Sequence, residues 1–288
     1  MDWAAQQARW PGAHASRFVQ SRPHRWHVQD FGDPAAPPLL LLHGAGGATH
    51  SWRGIAPLLA QERRVIAPDL PGHGFTKLGA MQRSSLDLMA QDLAALMARI
   101  GVSPVALVGH SAGGALALQM ARQGHGRAVV GLNPALDSFR GVAGWLFPVM
   151  AKALALNPFV APGFAAMASS RSVRSLVAGT GSTLDEDGLA LYRACISDRA
   201  HVEGTLTMMA QWRLDGLRAA LAGLDLPVLF LTGAEDRAVS PDTGARAASE
   251  MPRATHRTMP GLGHLAHEEA PDAVAAEIAG FLSDTLSG

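Results

Sequence analysis

Val105-Ala-Leu-Val-Gly109-His110-Ser111-Ala112-Gly113-Gly114 is the stretch that decides the fold. A short apolar run with strand character leads straight into Gly-His-Ser-Ala-Gly. A segment with helical spacing follows, marked by Ala115, Leu116, Leu118 and Met120. Strand, G-x-S-x-G turn and helix in that order make a nucleophile elbow. The turn leaves no room for side chains at Gly109 and Gly113. It forces Ser111 into a strained backbone conformation, with its hydroxyl held above the sheet edge. The helix behind it opens with unpaired N–H groups and a positive dipole end, which suit a developing oxyanion. G-x-S-x-G alone is also an ordinary glycine-rich turn, and here the flanks give it meaning.

A serine hydroxyl needs a base, and the base needs an orienting acid. With the serine on an elbow, the expected chain order is serine, acid, histidine. Pro227–Thr232 reads as a buried strand, and Asp236 follows in the loop at its carboxyl end, where open parallel sheets place their sites. Thr255–Met259 reads as the last strand, and Pro260-Gly-Leu-Gly-His264 leaves its end. Asp236 and His264 are the favoured acid and base. Asp137 competes for the acid because it follows the strand at Ala128–Leu132, Glu235 adjoins Asp236, and Asp236 is also placed to cap a helix. His267, three residues beyond His264, competes for the base but suits a surface or supporting place better. His24, His27, His125 and His201 read as structural. Leu39–Leu42 opens into His43-Gly44-Ala45-Gly46-Gly47, so the backbone N–H groups of Ala45 and Ala112 are the expected oxyanion hole. No Gly-Lys-Ser/Thr follows that loop, and it lacks the dinucleotide pattern, which argues against nucleotide binding.

The rest of the chain narrows the class. Its 288 residues are 48% hydrophobic, enough to bury the core of one α/β domain with an insertion. Lys plus Arg equals Asp plus Glu at 24 each, so no electrostatic argument favours nucleic acid. Cys195 is the only cysteine, which forbids an internal disulfide and points to a reducing compartment. No basic-then-apolar leader opens the chain, no apolar stretch is long enough to span a bilayer, and no zinc or iron signature occurs. A soluble, cytoplasmic protein without metal or cofactor is expected.

Arg25–Gln29, Leu39–Leu42 and Arg64–Ala67 read as strands, with helical spacing over Trp52–Gln61 and Leu86–Ile100. This alternation predicts a mostly parallel, doubly wound sheet. It stops after Val129–Leu132. The chain therefore divides into an extension (1–24), a core (25–133 and 213–288) and a helical cap (134–212) broken by Pro148, Pro158 and Pro162. Within the cap, Gly141–Met167 is the most apolar part. His43, His110, Trp145, Met208 and Trp212 are candidates for the substrate pocket, although packing of the cap onto the body accounts equally well for the apolar ones. Trp145 and Phe147 also carry a weaker expectation of peripheral membrane contact. The first twenty residues hold Trp3, Trp10 and Phe18, which either wrap the body or meet a partner.

With these residues placed, the chain resembles the α/β-hydrolases nearly end to end. More narrowly it is similar to the BchO family, magnesium-chelatase accessory proteins of bacteriochlorophyll synthesis. Thr49-His-Ser-Trp52, Gly179-Thr-Gly-Ser182, Met208-Met-Ala-Gln-Trp212 and Gly263-His-Leu-Ala-His-Glu-Glu269 carry that narrowing. The resemblance implies an α/β-hydrolase fold with an inserted cap and a role at or beside magnesium insertion into protoporphyrin. It further implies a porphyrin or porphyrin ester as small-molecule substrate, magnesium-chelatase subunits as partners, and a place beside the photosynthetic membrane. Haloalkane dehalogenases and epoxide hydrolases of this fold use an aspartate nucleophile, so Ser111 argues against both. Arg213 departs from the pattern, which implies an acidic residue there. Two functions of different class follow: a serine hydrolase of an ester-type bond, or a non-catalytic protein that holds a tetrapyrrole or docks a chelatase subunit.

Overall fold

Leu39 and Leu41 point to one side of their strand and Leu40 and Leu42 to the other, and all four are fully buried. A strand that buries both faces belongs inside a sheet covered by helices on each side. The computed structural model describes residues 1–137, 163 and 168–286. Its strands are β1 (Ser16–Ser21), β2 (His24–Phe31), β3 (Pro38–Leu42), β4 (Arg64–Pro68), β5 (Ala106–His110), β6 (Ala128–Leu132), β7 (Val228–Gly233) and β8 (Ala254–Met259). They form one sheet in the order β1-β2-β4-β3-β5-β6-β7-β8. Pairing is parallel from β4 through β8 and antiparallel for β1–β2 and β2–β4.

The helices Leu86–Arg99 and Ala112–Arg122 cover one face, where Leu93, Leu96, Leu116 and Met120 meet Leu40, Leu42 and Ile66. On the other face Val274, Ile278 and Leu282 of the helix Pro271–Leu286 join Trp52, Ile55, Leu39 and Leu41. The chain runs from β3 to β4 on one side, then returns to β5 on the other side of β3. The sequential direction of the sheet therefore reverses at β3. A crevice opens at the carboxyl ends of strands beside such a reversal. The His43–Gly47 loop leaves β3 and Ser111 leaves β5, so both stand at that crevice.

Two expectations change here. Residues 1–24 do not stand apart from the core, because β1 lies within them as the edge strand, with Ser16 opposite Gln29 and Ser21 opposite His24. The segment wraps the body. Trp10 is buried with its ring 4.7 Å from Phe75 and 5.3 Å from His50, and the terminal amine donates to the Gly74 carbonyl at 3.0 Å. β1 escaped the sequence reading because Ser-Arg-Phe-Val-Gln-Ser lacks a clean two-residue alternation. The helical spacing from Trp52 to Gln61 becomes a 3-10 turn at Thr49–Trp52 and a single α-turn at Ala56–Leu59. Between β6 and β7 the described residues include the helices Ser170–Gly179, Glu186–Ile196 and Arg199–Gln211. Trp145, Phe147 and the apolar Gly141–Met167 stretch lie outside the described residues, apart from Gly163. Among the described residues, no helix is long and apolar enough to cross a membrane.

Candidate active site

Ser111 has φ 52° and ψ −117°, in a region of backbone space that ordinary side chains avoid. The crowding around it explains the glycines. A Cβ on Gly109 would stand 2.1 Å from the Gly113 carbonyl oxygen, and one on Gly113 would stand 1.9 Å from that of Leu42. Ala112 is the first residue of the following helix, so its N–H has no intrahelical acceptor. The β3 loop passes close by, because a Cβ on Gly44 would lie 3.0 Å from the Ser111 Cβ.

His264 and Asp236 meet at this point. The His264 Nδ1–H donates to Asp236 Oδ2 at 2.7 Å, and both side chains are nearly enclosed. Asp236 Oδ1 accepts the N–H groups of Ala238 and Val239 at 2.8 and 2.9 Å, which fixes the carboxylate plane. Asp137, the competing acid, is engaged elsewhere. Arg218 donates to it at 3.0 Å, Thr243 at 2.9 Å, and Arg246 pairs with it as well. Burial alone would raise the Asp137 carboxyl, but Arg246, Thr243 and Arg218 hold it below the usual carboxylate range.

Ser111 and His264 share one cleft of about 220 Å³ with the loop Gly44–Gly47. Its apolar wall is Val173, Val177 and Leu265, with Tyr192 and Ile196 beside them. Among the described residues, no Asp, Glu, Lys or Arg lines it. No hydrogen bond joins Ser111 to His264 among the described residues; such bonds are often long before substrate arrives and tighten in the complex.

The expected pocket residues divide. His110 does line the cleft, and its Nε2–H donates to the His264 carbonyl at 2.9 Å. Burial, reinforced by the neighbouring His267 and His264 rings, holds it well below the ordinary histidine value, so it stays neutral. His43 is not a wall residue. It is fully buried beneath the loop, with Nδ1–H donating to Gly44 at 2.8 Å and Nε2 accepting from the Leu70 N–H at 2.9 Å. Met208 is buried in the core of the body, and Trp212 packs against the same cluster. Met208 lies on the helix face packed into that cluster, and Trp212, in extended conformation just past the helix end at Gln211, folds against it too. Trp145 lies outside the described residues. Ala45 lines the cleft and Ala112 sits directly behind Ser111. His267 is a buried ring between His110 (4.5 Å) and Trp52 (4.9 Å), not a surface residue. Burial pulls it down to about 3.

Asn133, Glu268 and Glu269 have no role in the sequence reading, and His201 reads there as structural. Asn133, at the carboxyl end of β6, bonds to the loops that carry Asp236 and His264. His201 accepts the Gly74 N–H at 2.9 Å and donates to the Gly46 carbonyl at 3.0 Å, bracing the glycine loop from the Arg199–Gln211 helix. Glu269 accepts from Gly263 N–H at 2.8 Å, Ser182 hydroxyl at 3.0 Å and Thr183 N–H at 2.9 Å. It thereby joins Gly179–Ser182 to Gly263–Glu269, two of the segments that carry the narrower resemblance. Behind the cleft, Tyr192 donates to Glu268 at 2.7 Å. Burial pushes Glu268 up to about 7 although Arg53 beside it pulls the other way. For Asn133, the one available signal was its place at a strand's carboxyl end.

The sequence profile of the alpha/beta hydrolase fold matches residues 37–271. The magnesium-chelatase 30 kDa subunit of Rhodobacter capsulatus is 45% identical over 289 aligned positions, covering 100% of each chain. The 2-hydroxymuconate semialdehyde hydrolase of Pseudomonas sp. (strain CF600) is 29% identical, covering 90% of this chain and 91% of its own. An alpha/beta hydrolase fold protein from Burkholderia ambifaria superposes with a TM-score of 0.73 at 24% identity, covering 92% of this chain and 99% of its own.

Proposed function

The chain belongs to the alpha/beta hydrolase fold family, and on that premise we propose that it is a serine hydrolase of an ester-type bond. Ser111 is the nucleophile, His264 its base and Asp236 the orienting acid. The observation that carries this reading is the 2.7 Å His264–Asp236 bond set across the cleft wall from a strained serine. His264 takes the Ser111 proton as the hydroxyl attacks the carbonyl. The Ala112 and Ala45 N–H groups receive the oxyanion, His264 returns the proton to the leaving alcohol, and water then releases the acyl group by the same steps. The described part of the inserted segment borders this cleft through Val173, Val177, Tyr192 and Ile196, in keeping with a role as its cap.

The cleft bounds the substrate. At about 220 Å³ it falls below the ~300 Å³ at which pockets begin to enclose a drug-sized ligand. Its described wall is uncharged, which favours entry of a neutral group beside Ser111. A porphyrin methyl ester meets that description. The chelatase relative supports a place at or beside magnesium insertion, with chelatase subunits as partners; bacteriochlorophyll synthesis and a cytoplasmic setting beside the photosynthetic membrane are what the family resemblance adds to that proposal.

The test is intact-protein mass after exposure to a fluorophosphonate, for the native chain and Ser111→Ala. One adduct on the native chain and none on the variant is expected. No adduct on the folded native chain rejects the hydrolase reading.

The chelatase relative also favours a second reading, in which the protein binds a tetrapyrrole or chelatase subunit without chemistry. That reading requires porphyrin binding, seen as tryptophan quenching, that Ser111→Ala leaves intact. Absence of any porphyrin or chelatase-subunit binding removes it.

A further inference from the structure

Asn133 is one of two non-glycine residues with positive φ, at 43°, among the described residues; Ser111 is the other. Its side chain is buried and bonded in three directions. Nδ2 donates to the His264 carbonyl at 2.7 Å and to the Gly263 carbonyl at 3.1 Å. Oδ1 accepts the Gly233 N–H at 2.7 Å, three residues before Asp236. The preceding residue completes the pattern, because the Leu132 carbonyl accepts the Ser111 N–H at 3.0 Å. Two consecutive residues at the end of β6 are therefore bonded to the serine, to the acid's loop and to the base. The same His264 carbonyl also receives the His110 Nε2–H at 2.9 Å, so two donors converge on one oxygen.

We propose that Asn133, with His110 as second donor, is a positioning residue that pins the His264 backbone and so aims the imidazole between Asp236 and Ser111. The inference rests on the hydrolase reading above. A glycine-flanked loop such as Pro260–His264 does not hold its own carbonyl in place. The opposite side of the same peptide is fixed too, since the Leu265 N–H donates to Ser182 Oγ at 2.8 Å. With both edges of that peptide bonded, the His264 Cα is fixed, and the ring needs only side-chain rotation to meet both partners. An alkyl or carboxylate side chain at position 133 supplies no donor. The left-handed backbone there admits asparagine readily and β-branched residues poorly.

The experiment measures the second-order rate of fluorophosphonate labelling at Ser111 from pH 5 to 9 in the native chain, Asn133→Gly, Asn133→Asp and His110→Phe. Asn133→Gly keeps the positive φ without strain and deletes only the side-chain bonds, so its fold is retained. Labelling by Asn133→Gly and Asn133→Asp is expected to slow about 100-fold, the cost of misplacing a catalytic group by an ångström. The pH dependence of labelling is expected to change in Asn133→Gly as well, because the imidazole is no longer held in line with both Asp236 and Ser111. His110→Phe keeps a ring against His264 and loses one donor, for a decrease of about tenfold. A lower melting temperature with an unchanged rate and pH midpoint in the folded fraction assigns Asn133 a structural role and overturns the proposal alone. A folded native chain that takes no label at Ser111 overturns the hydrolase reading and this proposal with it.

Discussion

His264–Asp236 and His27–Asp69 are built alike, and only one of them faces a cleft. In each pair Nδ1 stands 2.7 Å from the Oδ2 of the aspartate. The second pair even has its serine in place, since Ser16 Oγ lies 3.0 Å from His27 Nε2. Serine–histidine–aspartate connectivity is thus closed under the N-terminal segment and still open at the cleft. The surroundings reverse the ranking. His27 and Asp69 are fully buried, with Trp3, Phe18 and Phe75 rings 5.1, 5.4 and 5.1 Å from the imidazole. Asp69 spends its remaining capacity on the Thr49 and Phe75 N–H groups, at 2.6 and 2.8 Å. Burial alone would raise its carboxyl, but His27, His43 and the Phe75 N–H hold it well below the usual carboxylate range. That network ties the first strand pair to the loops after β3 and β4. Acyl transfer needs more than the chain of bonds: a strained serine that lines a cleft, unpaired N–H donors and room for a tetrahedral centre. Ser111 has all three.

The comparison is broken most severely by exchanging the two acids for amides. Asp236→Asn is expected to lower the Ser111 labelling rate by about 10⁴-fold, the effect of presenting the wrong tautomer to a triad histidine. Asp69→Asn leaves the rate per folded molecule within a few-fold. Equal losses in both would mean that the pairs are not functionally distinct.

Stability should show the opposite order. Asp69→Ala strands a buried imidazole and two N–H groups, so denaturant unfolding is expected to show a loss of about 3–5 kcal/mol. Asp236→Ala, in a loop at the cleft, costs less. A native-like midpoint for Asp69→Ala would refute its role as a clamp.

Acid sharpens the contrast further. Burial lowers His201 to about 4 and His267 to about 3, and it lowers His43, His50, His73 and His110 as well. Below pH 6.5 the unfolded chain takes up protons that the folded chain refuses, so stability falls as pH drops from 6.5 toward these folded values. His201 alone accounts for about 2 kcal/mol between pH 7.5 and 5. Asp69, whose folded value is depressed, contributes above its unfolded value near 3.8, and that contribution is lost only as pH falls toward the folded value. Thermal melts at pH 7.5 and 5 should therefore differ in the native chain and in Asp69→Asn alike. Identical melts at the two pH values would show that the histidines do not stay neutral in the fold.

The smallest effect on labelling belongs to Ser16→Ala. Its hydroxyl bonds His27 at 3.0 Å and, at longer range, Gln29 at 3.3 Å and Gly12 at 3.5 Å, so a loss of about 1–2 kcal/mol is expected, with labelling unchanged. A fluorophosphonate adduct mapped to Ser16 in the Ser111→Ala chain would erase the distinction between the two pairs.

The elbow, the sheet strands from β2 to β8 and the candidacy of His264 and Asp236 as its partners were legible in the chain. Short-range rules fix them: two-residue alternation, glycines at a turn that admits no side chain, and loops at the carboxyl ends of parallel strands. The competition between Asp137 and Asp236 was not decidable that way, because both follow strand ends. It turns on Arg218, Arg246 and Thr243, residues 81 to 109 positions away, which occupy Asp137. The orientation of Met208 and Trp212 was hidden as well. An apolar residue on a helix fits a pocket or a core equally, until the packing of that helix on the body chooses.

By itself the sequence determined the strands from β2 to β8, the identity of the strained serine and the short list of its partners, because each follows from steric and hydrogen-bonding rules that act within a few residues. Only the tertiary structure decided which His–Asp pair faces open space, and that Asn133 and His110 converge on the His264 carbonyl. Those facts depend on β5, β6, β7 and β8 lying side by side, across separations of 130 and more residues that no local pattern records.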